Sequence, residues 1–263
     1  MADAVYTPHN CTNHAYQLDW SYSAFWHKPP DDFSWMDELI QLNEKNGIRI
    51  LQHCFKDLNV SQFLVSTRPE TAPLIIAQRL KGRLQHLIRQ RMPEAFRRNY
   101  SLRSIGSTRR DKLQEYLAIQ LDHHPMADPR VMKRLEQLQI HCPAIDLSQP
   151  RRTAHAQYWY NLHIVVVNDA RHMEIREDVL QAMHDMIIKV AQAKEHLLSR
   201  AAILPDHLHL LLGSDLKESP EDVVLAYMNN LAYAIGMKPI FKFGYYCGTF
   251  SEYDLGVIPR VGR

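Results

Sequence analysis

Apolar positions along the chain switch between a period of two and a period of 3.6, and the order of the switches occurs twice. Residues 14–26 alternate in part and are rich in aromatics, which predicts a strand. A turn at Pro29-Pro30-Asp31-Asp32 follows, with Asp32 or Ser34 as a helix cap. Trp35, Leu39, Ile40 and Leu42 then form a helical stripe that stops at Asn46-Gly47. Two strands are predicted over 48–56 and 60–67, joined by the turn Asp57-Leu58-Asn59. A helix over 69–91 carries the stripe Leu74, Ile75, Leu80, Leu84, Leu87 and Ile88. A strand at 99–107 and a helix from Thr108 to about residue 122 complete the first block.

The second block begins after a proline-punctuated connector, 123–156, with one short helix near 129–139. A strand at 158–168, a helix at 176–197 and a strand at 198–204 follow. Pro205-Asp206 turns into a strand from His207, Ser219-Pro220 opens a helix to Gly236, and 238–248 reads as a strand. Strand, helix, strand, strand, helix, strand is the split βαβ order of ferredoxin-like folds. It recurs at a period of roughly 145 residues. The expected class is therefore α+β, with two tandem ferredoxin-like domains. The division is 1–122, a 123–156 linker with a short helix, and 157–263. Residues 1–13 are polar and expected to be loosely held.

Composition narrows the functional classes. Net charge is only +2 over 263 residues, but its distribution is uneven. From Arg79 to Lys112 there are eleven Lys or Arg against two acids, Glu94 and Asp111. Such a stretch is either a solvated helix face or the footprint of a phosphate-rich partner. Four cysteines stand far apart with no CxxC pair, which argues against a disulfide framework or a cysteine zinc site. No apolar run is long enough for a membrane span, and no signal-peptide pattern opens the chain, so a cytoplasmic protein is expected.

The chemistry-bearing stretch is Leu204-Pro205-Asp206-His207-Leu208-His209-Leu210-Leu211-Leu212-Gly213. Alternation puts His207 and His209 on one face of a strand, about 7 Å apart at ~3.3 Å per residue. Two imidazoles so placed can converge on one metal ion, or simply line a half-exposed strand.

Pro205 to Leu212 resembles the signature of the single-tyrosine HUH transposases, the enzymes of IS200/IS605-type insertion sequences and their REP-associated relatives. The Ser219-Pro220 helix and the Gly244-Tyr245-Tyr246 strand stand where that family has them, so 158–250 covers the family core. The family's last helix carries a nucleophilic tyrosine and, four residues on, a metal-binding glutamine. The second block lacks that helix: Phe250-Ser251-Glu252-Tyr253-Asp254-Leu255-Gly256 and Pro259 form a poor one. The first block has it, with Tyr116 and Gln120 on 108–122, but places Asn59-Val60-Ser61-Gln62 where the histidines would be.

Because family members act as dimers with composite sites, the resemblance implies a dimer fused into one chain, its halves a pseudo-two-fold pair. One site, built of His207, His209, Gln120 and Tyr116, would be intact. The reciprocal site, with Gln62 facing the Tyr253 region, would be dead. The implied activity is cleavage and rejoining of single-stranded, hairpin-containing DNA through a 5′-phosphotyrosine, with Mg²⁺ or Mn²⁺ on His207, His209 and Gln120. Tyr116 would be the nucleophile. Arg79, Lys81, Arg83, Arg103, Arg109, Arg110 and Lys112 would carry the DNA backbone. His123, His124 and His163 are alternative ligands, ranked below His207 and His209 because they also read as satisfied or solvent-facing, and Asp206 reads as a turn residue or a histidine's orienting partner. The implied partner is DNA at the bacterial nucleoid, met by a monomer acting as an internal pseudo-dimer. A catalytically silent hairpin-binding relative and a nicking nuclease that does not transpose are the alternatives.

Overall fold

Both blocks of the pattern fold into a four-stranded antiparallel sheet with two helices on one face. The computed structural model describes residues 4–56, 59–236 and 238–253. The first block comprises β1 (Ala15–Gln17), β2 (Asp19–Trp26), α1 (Met36–Glu44), β3 (Ile48–Lys56), β4 (Val60–Thr67), α2 (Pro73–Ile88), β5 (Phe96–Ile105) and α3 (Arg110–Ala118). Then come α4 (Pro129–Gln137), β6 (Ile140–His141) and β7 (Arg151–Arg152). The second block comprises β8 (Ala156–Trp159), β9 (Asn161–Val167), α5 (Glu177–Ala193), β10 (Leu197–Ile203), β11 (His207–Gly213), α6 (Pro220–Ala234) and β12 (Tyr246–Thr249).

The two sheets run β3-β4-β2-β5-β8-β7 and β1-β12-β9-β11-β10-β6. Their inner quartets, β3-β4-β2-β5 and β10-β11-β9-β12, have the same order and are antiparallel throughout. Even an irregularity is shared. The register of β3 against β4 shifts between Ile50 and Gln52, and that of β10 against β11 shifts between Leu198 and Arg200. The class is α+β, with both units ferredoxin-like.

The units exchange their leading strands. Residues 14–26 do not form one strand: β1 pairs in parallel with β12 of the second sheet, and after Leu18 the chain enters the first sheet as β2. Residues 158–168 divide in the same way at Tyr160, with β8 parallel to β5 and β9 in the second sheet. Both hinge residues are buried. Alternation continues through a change of sheet, so the sequence pattern cannot register the break. The crossing is held by reciprocal bonds. Thr249 Oγ1 accepts the Asp19 N–H at 2.9 Å and donates to the Ile105 carbonyl. Ser104 Oγ accepts the Asn161 N–H at 3.1 Å and donates to the Phe250 carbonyl at 2.8 Å. Gly106 lies so close to this crossing that a Cβ there would stand 2.1 Å from the Thr249 carbonyl oxygen.

Several other expectations change. The connector is structural, since β6 extends the second sheet beside β10 and β7 extends the first beside β8. The 238–248 strand shortens to β12, while Phe241 makes only an isolated bridge with Asn168. The N-terminal stretch is anchored rather than loose. Tyr6 is buried, its hydroxyl accepting the Phe241 N–H at 2.7 Å, and Cys11 is buried with it. One aromatic in a polar stretch carries too little pattern to be read as an anchor. Asp57-Leu58 and the segment from Asp254 onward lie outside the described residues.

Candidate active site

Strand alternation decides the site's floor. Leu208, Leu210 and Leu212 point into the main core shared with α5 and α6. His207, His209 and Leu211 point to the opposite face. There α3 covers the sheet: Leu113 and Leu117 pack with Ala202, Leu204, Leu211 and Phe250. The first block's last helix thus closes over the second block's histidine strand, as the sequence led us to expect.

The rings form a cluster. The His207 and His209 centroids are 4.9 Å apart, and Tyr116 meets His209 edge-on with centroids 5.8 Å apart at 80°. His163 Nε2 lies 3.0 Å from His209 Nδ1, with the two rings stacked. The His124 ring stands 5.1 Å from that of His207. His207 Nδ1 lies 2.6 Å from Asp206 Oδ1, and Arg171 donates to Asp206 Oδ2 at 2.8 Å. His163 and His124, expected from the sequence to be satisfied or solvent-facing, therefore belong to the cluster. The sequence offered His163 only as an alternative ligand, because the β9–β11 register that brings it beside His209 is not legible there.

Burial favours the neutral form of His163, His207 and His209. Burial is the largest cause in each case. It pushes His209 down to about 2, helped by the neighbouring histidines, and His163 down to about 4. His207 is also lowered, by burial, with Asp206 opposing. Burial acts to raise the Asp206 carboxyl, but hydrogen bonds from His207 and Arg171 outweigh it and hold it below its ordinary range. Neutral imidazole is the form that ligates metal. With Nδ1–H donated to Asp206, the His207 Nε2 lone pair is left open. The same holds for His209 Nε2 when its Nδ1–H is donated to His163.

Tyr116 is 44% exposed and Gln120 only 2%. The helix is shorter than the pattern suggested. It ends at Ala118, so Gln120 lies in the following turn, where its Nε2 donates to the Tyr116 carbonyl at 3.4 Å. The reason is local: Ile119 leaves helical geometry, and the next N–H groups make tight turn bonds to carbonyls three residues back. Among the described residues, no group of three or more His, Cys, Asp or Glu side chains is arranged to hold a metal ion. Two imidazoles with a glutamine amide are a donor set of another kind.

The candidate DNA cations all have partners on the protein. Arg79 donates to the Asn46 carbonyl at 3.1 Å, Lys81 to the carbonyls of Arg97 and Arg98, and Arg83 to Asn43 Oδ1 at 2.8 Å. All three lie on α2, in the helical layer rather than beside the histidines. Arg109 pairs with Asp111 at 3.0 Å, Lys112 with Glu115 at 2.7 Å, and Arg110 with Asp146 at 3.8 Å. These three lie at the start of α3. Arg103 is held apart, its guanidinium 3.8 Å over the Trp159 ring and paired to Glu252 at 3.2 Å.

The first sheet carries other residues at the positions that match the histidines. Opposite β2, Val60 and Gln62 take the register positions that His207 and His209 take opposite β9. Gln62 Nε2 donates to Ser21 Oγ at 2.6 Å, where the second sheet has the His209–His163 pair. Ser21 is paired with Arg103, whose guanidinium is 5.5 Å from the Tyr253 ring. Among the described residues no imidazole is in ring contact with Tyr253.

This histidine strand and its four-stranded frame correspond to a known family. Residues 156–256 match the family model described as "Transposase IS200 like". The match covers fewer than half of the residues and leaves the Tyr116 helix outside it. Among solved structures, the chain is similar to a protein of Deinococcus radiodurans R1 described provisionally as a transposase. The identity is 20% over 33% of this chain and 75% of that one, with a TM-score of 0.31. It is also similar to a REP-associated tyrosine transposase bound to a REP hairpin. That identity is 16% over 35% of this chain and 56% of that one, with a TM-score of 0.31. No curated protein matches the chain. Among the described residues no helix is long and apolar enough to cross a membrane.

Proposed function

We propose that this chain cleaves and rejoins single-stranded DNA at one composite site, as a transposase of the single-tyrosine type. Tyr116 is the nucleophile, and His207, His209 and Gln120 are the metal donors. The observation that carries the reading is the contact of Tyr116, from the first block, with His209, from the second. A domain 1–122 supplies the tyrosine helix, a domain 157–263 supplies the histidines, and 123–156 joins them. The monomer is a fused pseudo-dimer whose reciprocal site has no histidines. Its substrate is hairpin-containing DNA at the nucleoid.

The donor types suit a divalent ion such as Mg²⁺ or Mn²⁺: two neutral, oriented imidazoles with open Nε2 atoms, and the buried amide of Gln120 four residues after Tyr116. Such an ion polarises a phosphodiester held against it. The chain's own residues do the rest. Tyr116 Oη attacks phosphorus, the bond to the 3′-oxygen breaks, and the 3′-oxygen takes up a proton. The phenolic proton leaves to solvent, to which Tyr116 is open. The products are a 5′-phosphotyrosine and a 3′-hydroxyl. Reversal of the step rejoins the strand without ATP, because the ester energy is retained.

The test is incubation of the protein with labelled single-stranded oligonucleotides and Mn²⁺. A covalent protein–DNA adduct that disappears in Tyr116→Phe supports the reading; no adduct with any hairpin or linear strand sinks it. A second reading, a catalytically silent hairpin-binding protein, draws support from Gln120, whose amide is turned back onto its own helix. Hairpin binding with no adduct would favour it.

A further inference from the structure

We propose that Arg171 is a positioning residue of the histidine site, acting through Asp206 to fix the ring orientation and tautomer of His207. The proposal rests on the reading of His207 as a metal donor.

Asp206 is a two-sided bridge. Its Oδ1 lies 2.6 Å from His207 Nδ1 and its Oδ2 accepts from Arg171 Nη1 at 2.8 Å. With both oxygens engaged the carboxylate cannot turn. It can only accept from imidazole Nδ1–H, which leaves the Nε2 lone pair for a ligand. His207 and Asp206 have nearly buried side chains, whereas Arg171 is 59% exposed. An ion pair that open contributes little to global stability. Its effect is orientational.

The backbone that delivers Arg171 is strained. Ala170 and Arg171 both adopt left-handed geometry, with φ of 49° and 55°. Residues with a Cβ rarely adopt that geometry. Such strain persists where surrounding contacts over-determine it, and here they converge on the turn that holds Asp206. The Asn168 N–H donates to the Asp206 carbonyl at 2.8 Å. Asn168 Nδ2 donates to the Pro205 carbonyl at 2.8 Å and to the His172 carbonyl at 3.0 Å. The Glu174 N–H donates to the same Pro205 carbonyl at 2.8 Å. Residues 168–174 thus clasp Pro205-Asp206, and the strained pair aims one guanidinium at one carboxylate. A plain connection from β9 to α5 needs neither feature.

The test compares wild type with Arg171→Ala, Arg171→Gln, Arg171→Lys, Asp206→Asn and Arg171→Ala/Asp206→Asn. Long-range ¹H–¹⁵N spectra of the metal-free protein read the His207 tautomer, and electron paramagnetic resonance reads Mn²⁺ affinity. Wild type is expected to show the Nδ1–H tautomer alone. Arg171→Ala and Arg171→Gln should show mixed tautomers and a Mn²⁺ affinity lower by about tenfold, the scale of removing an orienting partner. Arg171→Lys should restore most of both. The double variant should bind Mn²⁺ no worse than Asp206→Asn, because the two residues act in series. A wild-type tautomer in both Arg171→Ala and Arg171→Gln, or affinity decreases that multiply in the double variant, would overturn the proposal. If wild type binds Mn²⁺ no better than His207→Ala/His209→Ala, the metal-site reading falls, while the tautomer comparison still decides the role of Arg171.

Discussion

Tyr116 of α3 meets His209 of β11 edge to face, with ring centroids 5.8 Å apart and planes at 80°. The two residues lie in different repeats of the sequence pattern, and neither repeat contains both. The contact exists because the exchange of β1 and β8 ties the sheets together at Leu18 and Tyr160. The chain leaving β5 is then bound to the segment leaving β12: Arg110 N–H, at the first residue of α3, donates to the Ser251 carbonyl at 2.7 Å.

Removing only the phenolic oxygen isolates the chemistry from the packing. Tyr116→Phe is expected to abolish the covalent adduct while DNA affinity, read by fluorescence anisotropy, stays within about twofold, since the ring and helix remain. His207→Ala and His209→Ala should abolish cleavage. Mixing Tyr116→Phe with His207→Ala chains is expected to restore nothing, because Tyr116 meets His209 within one chain. Recovery on mixing would show that site halves come from different molecules.

The α2 cations give a separate expectation. Reversing Arg79, Lys81 and Arg83 to Glu should weaken single-strand binding. It should also flatten the log–log salt dependence by roughly 0.7 for every phosphate that the protein no longer neutralises. Lys81 and Arg83 also tie α2 to β5 and α1, so a melting curve must accompany the titration. A variant that melts normally with an unchanged slope would show that α2 is a solvated face.

The crossing point should be sensitive to small changes. Thr249→Val keeps the shape but leaves the buried Asp19 N–H and Ile105 carbonyl short of a partner, a destabilisation of about 1–3 kcal/mol. Gly106→Ala should cost more, since its methyl would overlap the Thr249 carbonyl. Urea unfolding measures both. Wild-type stability in Thr249→Val would mean that the reciprocal bonds do not hold the units together.

Acid should destabilise the protein in two windows. Burial depresses His53 and His163 to about 4. Their unfolded forms therefore take up protons first, and stability is lost as pH falls from about 6.5 toward 4, while His209, held down to about 2, carries the loss on through the lower window. Glu218 is held down to about 2, chiefly by its hydrogen bond to His196, with Ser214 and Lys194 assisting. Its contribution is present above about 4.5 and lost as pH falls toward 2, on the order of 2–3 kcal/mol. Glu218→Gln should reduce the slope of the lower window, to which His209 still contributes, and leave that of the upper one. A lower window unchanged in that variant would assign the acid sensitivity elsewhere.

The sequence by itself determined the element order of both units, the shared face of His207 and His209, and the helix bearing Tyr116. Each of these is a local period or a local motif, and local sterics suffice to set them. Tertiary structure alone decided the rest. The exchange of β1 and β8 leaves the alternation of the strands unaltered, so no pattern announces it. His163 joined the site through strand register, and Arg171 joined through a strained turn closing on Asp206. Gln120 left the helix because the bonding of the turn after Ala118 overrode the apolar spacing that had carried the helix onward. Periodicity tells which side of an element a residue occupies. What stands across from it is set by contacts between segments far apart in the chain, which the sequence carries only as their sum.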